Sequence, residues 1–223
     1  MCGRYTLFTD IEEIMDRFDI KAPFIDEYQF SYNIAPSHSV LSVINDGTTN
    51  RLGYLRWGLI PFWAKDEKIS YKMINARAET IAEKPSFKNA YKKKRCLILA
   101  DSFYEWKKTP ERKIPMRIKL KTDEPFAMAG LWESWKSPEG RPIYSCSVIT
   151  TTPNKLMSSI HDRMPVILKP EDEKVWLDPS IHDTDYLQQY LKPFDALQME
   201  AFEVSSQVNT PKNNSPNLIQ KIC

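Results

Sequence analysis

Glycine is scarce in this 223-residue chain, at six residues. Phosphate-cradling loops are built on clustered glycines, and neither a Walker loop nor a dinucleotide-binding glycine pattern occurs, so nucleotide cofactors are disfavoured. Histidine is scarcer, at three. The four cysteines, at positions 2, 96, 146 and 223, form no CxxC pair and no metal-ligand spacing. HExxH and GxSxG are both missing, which removes the common zinc-protease and α/β-hydrolase sites. No cofactor and no metal are expected. No segment approaches the roughly 20 apolar residues that span a bilayer, and no basic segment leads into an apolar one at the N-terminus. Neither a membrane nor export is expected. Cys96 and Cys146 sit inside apolar runs and read as buried thiols, which fits a reducing cytoplasm.

What is present reads as one soluble domain over residues 1–223, with a core over about 2–209 and a polar end over 210–223. The chain is 42% hydrophobic and 27% charged, and long enough to bury a sizeable core. Its net charge of +2 hides a segregation. Over residues 51–120, 18 Lys and Arg face 7 Asp and Glu, an excess of 11, whereas both flanking segments are acidic. Lys92-Lys93-Lys94-Arg95 alone reads as a solvated face, but the whole basic segment points to a polyanion, nucleic acid first.

Thr9-x-x-Glu12 has the form of a capping box, with Ile11, Ile14, Met15 and Phe18 on one helical face after it. Residues 20–38 read as irregular. Ser39–Ile44 and Leu52–Trp57 are expected to be a hairpin, and 58–63 a loop. Helical patterning spans 75–94 with a break at Pro85. Strands are expected at Arg95–Ala100, Phe103–Trp106, Met116–Leu120, Phe126–Trp132, Ile143–Thr150, Met164–Leu168 and Ala201–Val204. Helical pieces are expected from Pro153 to Ile160, near 170–177 and near 184–192. Many strands with few crossover helices argue for an α+β fold of mainly antiparallel sheets.

Four stretches carry candidate chemistry. Removal of Met1 would leave Cys2 with an α-amine and a thiol on adjacent carbons, a pair that condenses with an aldehyde through an imine to a five-membered thiazolidine. Gly3 allows close backbone approach, and Arg4 offers a fork for phosphate or carboxylate. In Asn75-Ala76-Arg77-Ala78-Glu79-Thr80, Asn75 can orient an amine or thiol and Arg77 can grip a phosphate, although the same residues also suit a helix start with surface charges. Glu105 lies among Phe103, Tyr104 and Trp106, where apolar surroundings would raise its pKa toward neutrality, unless it faces outward from an edge strand. His161 sits in Ile160-His161-Asp162-Arg163-Met164-Pro165, between a helix and a strand, and could shuttle protons.

These stretches, together with Met1-Cys2-Gly3-Arg4, Tyr32-Asn33-Ile34-Ala35-Pro36 and Trp57-Gly58, occur in the order found in one family. From residue 2 to about Asn209 the chain resembles the SOS-response-associated peptidase (SRAP) family of abasic-site processing proteins. The resemblance implies a single SRAP-type domain whose sheets curl into a barrel-like core with flanking helices. It also implies recognition of abasic sites in single-stranded DNA and a covalent DNA–protein crosslink through Cys2. Asn75, Glu105 and His161 match the other reactive positions. Arg4, Arg77 and Arg163, with Pro36 and Trp63, match a DNA-binding set. The peptidase name refers to removal of what precedes Cys2, here Met1. The expected state is a monomer in the cytoplasm, at the nucleoid when bound to DNA. Two other readings are an N-terminal-nucleophile glutamine amidotransferase, since such chains also begin Met-Cys-Gly, and a non-covalent single-stranded DNA-binding module.

Overall fold

The stretch Arg95–Ala100 is apolar at every position but its first, and it forms a strand buried along its whole length. Such a strand needs neighbours on both edges and cover on both faces, and the rest of the chain supplies them. The computed structural model describes residues 2–21, 25 and 27–222. In chain order the strands are β1 (Tyr5–Leu7), β2 (Ser31–Ile34), β3 (Ser39–Asn45), β4 (Asn50–Trp57), β5 (Asn75–Arg77), β6 (Arg95–Ala100), β7 (Ser102–Lys108), β8 (Lys113–Leu120), β9 (Phe126–Lys136), β10 (Pro142–Thr151), β11 (Met164–Pro165) and β12 (Met199–Glu203). The α-helices are short: α1 (Ile11–Arg17), α2 (Lys88–Lys93), α3 (Pro170–Leu177) and α4 (Thr184–Gln188).

Five strands close on themselves in the order β10-β4-β3-β6-β9, because β9 pairs both β6 and β10. The β10–β4 pairing is parallel and the other four are antiparallel, so the barrel is mixed. Beyond the end of β4, β5 continues along the same strand, pairing Asn75–Arg77 in parallel with Val148–Thr150. A second sheet, antiparallel throughout, runs β12-β8-β7-β1-β2. The α+β class and the barrel-like core expected from the sequence are both found.

The chain crosses from barrel to sheet at Asp101, between β6 and β7. Its carboxylate accepts the Phe8 and Thr9 backbone N–H groups and the Thr9 hydroxyl, fastening β1 to the crossing. The Thr9 hydroxyl is therefore occupied, and α1 begins at Ile11 behind Asp10 with no side-chain cap. Arg95, read with its lysine neighbours as a solvated run, is buried and donates to the carbonyls of Tyr91, Lys92, Trp176 and Asp178. It ties α2 and α3 to the barrel.

Several element boundaries differ from expectation. The helical pattern over 75–94 is a strand at Asn75–Arg77, where β10 offers an open edge, and a helix at Lys88–Lys93. The helix expected from Pro153 is a single 3-10 turn at Met157–Ser159, because the Asn154 side chain accepts the Met157 N–H and closes a shorter turn. The strand expected over Met164–Leu168 is ladder-paired at Met164–Pro165 alone, although Val166 and Leu168 still bond to Ile149 and Ala127. Within 20–38, Ser31–Ile34 is a strand, while residues 22–24 and 26 lie outside the described part, as do Met1 and Cys223.

The polar C-terminal end is a strap across the second sheet. Val204, Val208 and Leu218 are buried with Tyr104 in a cluster of their own, and Tyr32, Trp106 and Phe202 pack against it. Burying one such leucine contributes about 1.5–3 kcal/mol, one part of what offsets the cost of ordering the strap. No helix among the described residues is long and apolar enough to cross a membrane.

Candidate active site

Cys2 enters just ahead of β1, whose Tyr5 and Leu7 are buried and whose two neighbours are β2 and β7. The Tyr104 N–H donates to the Arg4 carbonyl, so the first residues lie along the strand that carries Glu105. Cys2 is fully buried. Its carbonyl accepts a 2.9 Å bond from Asn75 Nδ2, which reaches across from β5 on the barrel. The site therefore sits where the two sheets meet. Asn75 Oδ1 is buried with no hydrogen-bond partner among the described residues, leaving an acceptor in place beside the N-terminal segment.

Glu105 belongs to β7, the middle strand of the second sheet, and is 3% exposed. That excludes the outward-facing edge position. Burial pushes its carboxyl up from the ordinary value, against the pull of His161. Burial, and then the Glu105 charge, push the Cys2 thiol well above its ordinary value. Cys2 and Glu105 thus feel one another, and the thiol keeps its proton until a base takes it.

His161 follows the 3-10 turn at Met157–Ser159, held by its N–H on the Met157 carbonyl. Its Nε2 lies 3.9 Å from Glu105 Oε2. Its Nδ1 lies 3.1 Å from the Arg163 backbone nitrogen and 2.9 Å from Asp162 Oδ1. In the neutral ring, Nδ1 accepts from the Arg163 N–H, which leaves the ring proton on Nε2 toward Glu105. Arg163 is itself buried, and its guanidinium forks onto both oxygens of Glu79 while donating to the Thr150 carbonyl. That clamp fixes the His161 loop to β10. The Arg163 side chain draws the Glu79 carboxyl below its ordinary value.

Glu105 and His161 open onto a groove of about 420 Å³ whose other lining residues are Trp106, Lys108, Lys113 and Asn209. A larger cleft of about 710 Å³, between Lys65–Glu67 and the β9–β10 turn, contains none of the candidate residues. The chemistry, and not the size of the depression, marks the site.

The sequence-selected residues fall into two groups. Cys2, Asn75, Glu105 and His161 converge. Among the guanidiniums, Arg77 is exposed and has no side-chain partner among the described residues, whereas Arg4 Nη1 donates to Asn33 Oδ1 and the Val208 carbonyl. The Arg4 guanidinium also lies 5.8 Å from the Trp106 ring centre. Pro36, half-buried in the turn after β2, and Trp63, 48% exposed in the β4–β5 connection, lie outside the groove. Lys108, Lys113 and Asn209 were not singled out from the sequence. The two lysines bracket Thr109-Pro110-Glu111-Arg112, and reading that as a hairpin turn puts them opposite one another.

The family model for "SOS response associated peptidase (SRAP)" matches residues 1–211. The chain belongs to this family. It is 62% identical over 222 residues to the abasic site processing protein YoqW of Bacillus subtilis, covering 99% of both chains. It is 34% identical to the abasic site processing protein HMCES of Xenopus tropicalis, over 88% of this chain and 68% of that one. A crystal structure of a Bacteroides thetaiotaomicron protein, described by its source alone, superposes with a TM-score of 0.90 at 28% identity over the whole of both chains. The fold, the order of motifs and the SRAP match thus agree.

Proposed function

We propose that this SRAP protein processes abasic sites in single-stranded DNA by linking itself covalently to the abasic sugar through Cys2. The observation that carries the reading is the convergence at Cys2. Asn75 holds its carbonyl, Glu105 is close enough to raise its thiol, and His161 stands 3.9 Å from Glu105 at an open groove. The names of the relatives supply the substrate class.

An abasic deoxyribose is mostly a closed hemiacetal and must open before it can react. Glu105, whose burial favours the protonated carboxyl, gives its proton to the ring oxygen as the C1′–O4′ bond breaks, the proton of the C1′ hydroxyl passes to water, and the His161 Nε2–H holds the opened hydroxyl. With Met1 removed, the Cys2 amine adds to the C1′ aldehyde and expels water as the imine forms. Sulfur then adds to the imine carbon. The thiol proton passes by way of the Glu105 carboxylate to the imine nitrogen, so the completed thiazolidine differs from protein plus DNA by one water. A thiol kept protonated favours this order, with amine first and sulfur second. Closing the aldehyde into a ring removes the acidity that drives β-elimination, which shields the strand from breakage. Arg77 is the guanidinium left over for a phosphate, and Arg4 retains Nη2 for the same purpose.

Intact-mass measurement after incubation with an abasic oligonucleotide tests the reading. The expected species is the mass of the chain without Met1 plus the oligonucleotide less one water, on abasic but not on intact DNA. A crosslink formed equally well by Cys2→Ala would overturn it.

A further inference from the structure

Lys108 and Lys113 are direct partners across the β7–β8 ladder. Two like charges placed opposite one another on a hairpin destabilise it, and such pairs are ordinarily relieved by an acidic neighbour. Neither ammonium has a side-chain partner among the described residues. The acid that binds nearby, Glu203, is engaged by Arg112 at 3.0 Å instead. Both lysines line the groove that Glu105 and His161 share. An unrelieved positive pair beside a reactive centre is a place for an anion.

The third group in the groove is oriented. Trp106 Nε1 lies 2.7 Å from Asn209 Oδ1. An indole nitrogen can only donate, so the amide oxygen must face it, and Asn209 Nδ2 is left with two hydrogens to offer. Asn209 is held there by the strap, whose Val208 is buried and whose carbonyl takes Arg4. Two ammoniums, one fixed amide donor and an indole face suit a phosphodiester with an adjoining nucleotide better than they suit a sugar alone.

We infer that the groove of Trp106, Lys108, Lys113 and Asn209 is a subsite for one of the two phosphodiesters flanking the abasic sugar. The inference rests on the function proposed above and adds a site to it. Its consequence is register. With one flanking phosphate held on the lysines and the sugar at Glu105 and His161, C1′ is presented to Cys2 before any bond forms.

Neutralising the phosphate one linkage at a time tests this. The probes are single-stranded oligonucleotides carrying a tetrahydrofuran abasic analogue, which cannot react, with a methylphosphonate on its 5′ side, on its 3′ side, or on neither. Affinity is read by fluorescence anisotropy for the full chain, for Lys108→Gln, for Lys108→Gln/Lys113→Gln and for Asn209→Ala. One of the two methylphosphonates is expected to weaken wild-type binding by about ten-fold, the usual contribution of charge-assisted bonds. The double variant should already be weakened by that factor, should ignore that methylphosphonate, and should still respond to the other. Its salt slope on the unmodified strand should be shallower by about 0.7, the value of the one single-strand phosphate the subsite holds. If the effects of the variants and of both methylphosphonates simply multiply, the lysines do not hold a flanking phosphate and the subsite is withdrawn. Lys108→Gln, at an exposed position with no side-chain hydrogen bond or ion pair among the described residues, decides the matter in the same way should the double variant not fold. Because the analogue cannot crosslink, failure of the covalent chemistry would appear in the mass experiment and not here.

Discussion

Glu105→Gln keeps the shape of a side chain that is 3% exposed and removes both its charge and its transferable proton. Two consequences follow from the same burial. In the reaction, the amide cannot protonate the ring oxygen or carry the thiol proton, so adduct formation should slow by the 10²–10⁴-fold typical of lost acid–base catalysis, about 2.7–5.5 kcal/mol of barrier. In the fold, the change should stabilise. The native carboxyl titrates above its ordinary value because burial penalises the ionised form. Below the ordinary value both states are protonated and there is no penalty. As pH rises, the unfolded chain ionises first while the native state holds its proton, and wild-type stability falls until pH passes the raised native value. Glutamine does not ionise. Calorimetry should therefore show nearly equal melting temperatures for wild type and variant near pH 4, and a variant advantage that grows as pH rises above the ordinary carboxyl value and levels off once it passes the raised native one. Single-turnover crosslinking on an abasic strand, and on an analogue already presenting an open aldehyde, locates the step. The open aldehyde should restore most of the lost rate if ring opening is the step served. Equal slowing on both substrates would refute the ring-opening role, and a variant destabilised at pH 8 would refute the premise that Glu105 is held against a desolvation penalty.

Cys2→Ala should abolish the stable adduct while leaving anisotropy-measured binding largely intact, and Cys2→Ser should yield at best an imine that borohydride traps. Arg77→Ala should weaken binding to strands of any sequence and flatten the salt dependence by about 0.7, the value of one single-strand phosphate contact, as titrations between low and high salt would show. Gly58→Ala should cost about 1–3 kcal/mol in denaturant unfolding, because Gly58 sits at φ +121° and an added Cβ would stand 2.8 Å from the Ser70 carbonyl oxygen.

Strands proved more legible than helices, for a physical reason. Arg95–Ala100 and Phe126–Lys136 are wrapped by the barrel on both sides, so their apolar runs are long enough to be read from the residues alone. The stretch 75–94 misleads because Asn75-Ala76-Arg77 has no strand-like composition. It is extended because β10 outlasts β4 and presents unpaired backbone groups there, a fact of tertiary pairing that no local pattern carries. Barrel closure is hidden for the same reason, since it depends on β9 bonding β6 and β10 at once.

The motif residues divide in a way their spelling conceals. Cys2 and His161 stand out in the sequence because cysteine and histidine are scarce in this chain, and Glu105 because of its apolar neighbours. Arg4, Asn33, Tyr104 and Arg163 stand in the same motifs, yet each is committed to holding other parts of the protein. Asn33 donates to the carbonyls of Thr210 and Asn213 at 3.0 and 2.8 Å, and its oxygen takes Arg4. The Tyr104 hydroxyl donates to the Tyr32 carbonyl at 2.9 Å. Arg163 satisfies Glu79 and Thr150. A fork of five donors suits a phosphate and a set of converging carbonyls equally, so residue type alone cannot assign an arginine to ligand or to scaffold. Burial decides between them. An arginine whose Nη donors are taken within the fold, as those of Arg163 are by Glu79 and Thr150, sets the geometry of the loop in which another group acts, here His161. An exposed one with no side-chain hydrogen bond or ion pair among the described residues, such as Arg77, is where the proposed function has the basic middle segment reach a strand of DNA.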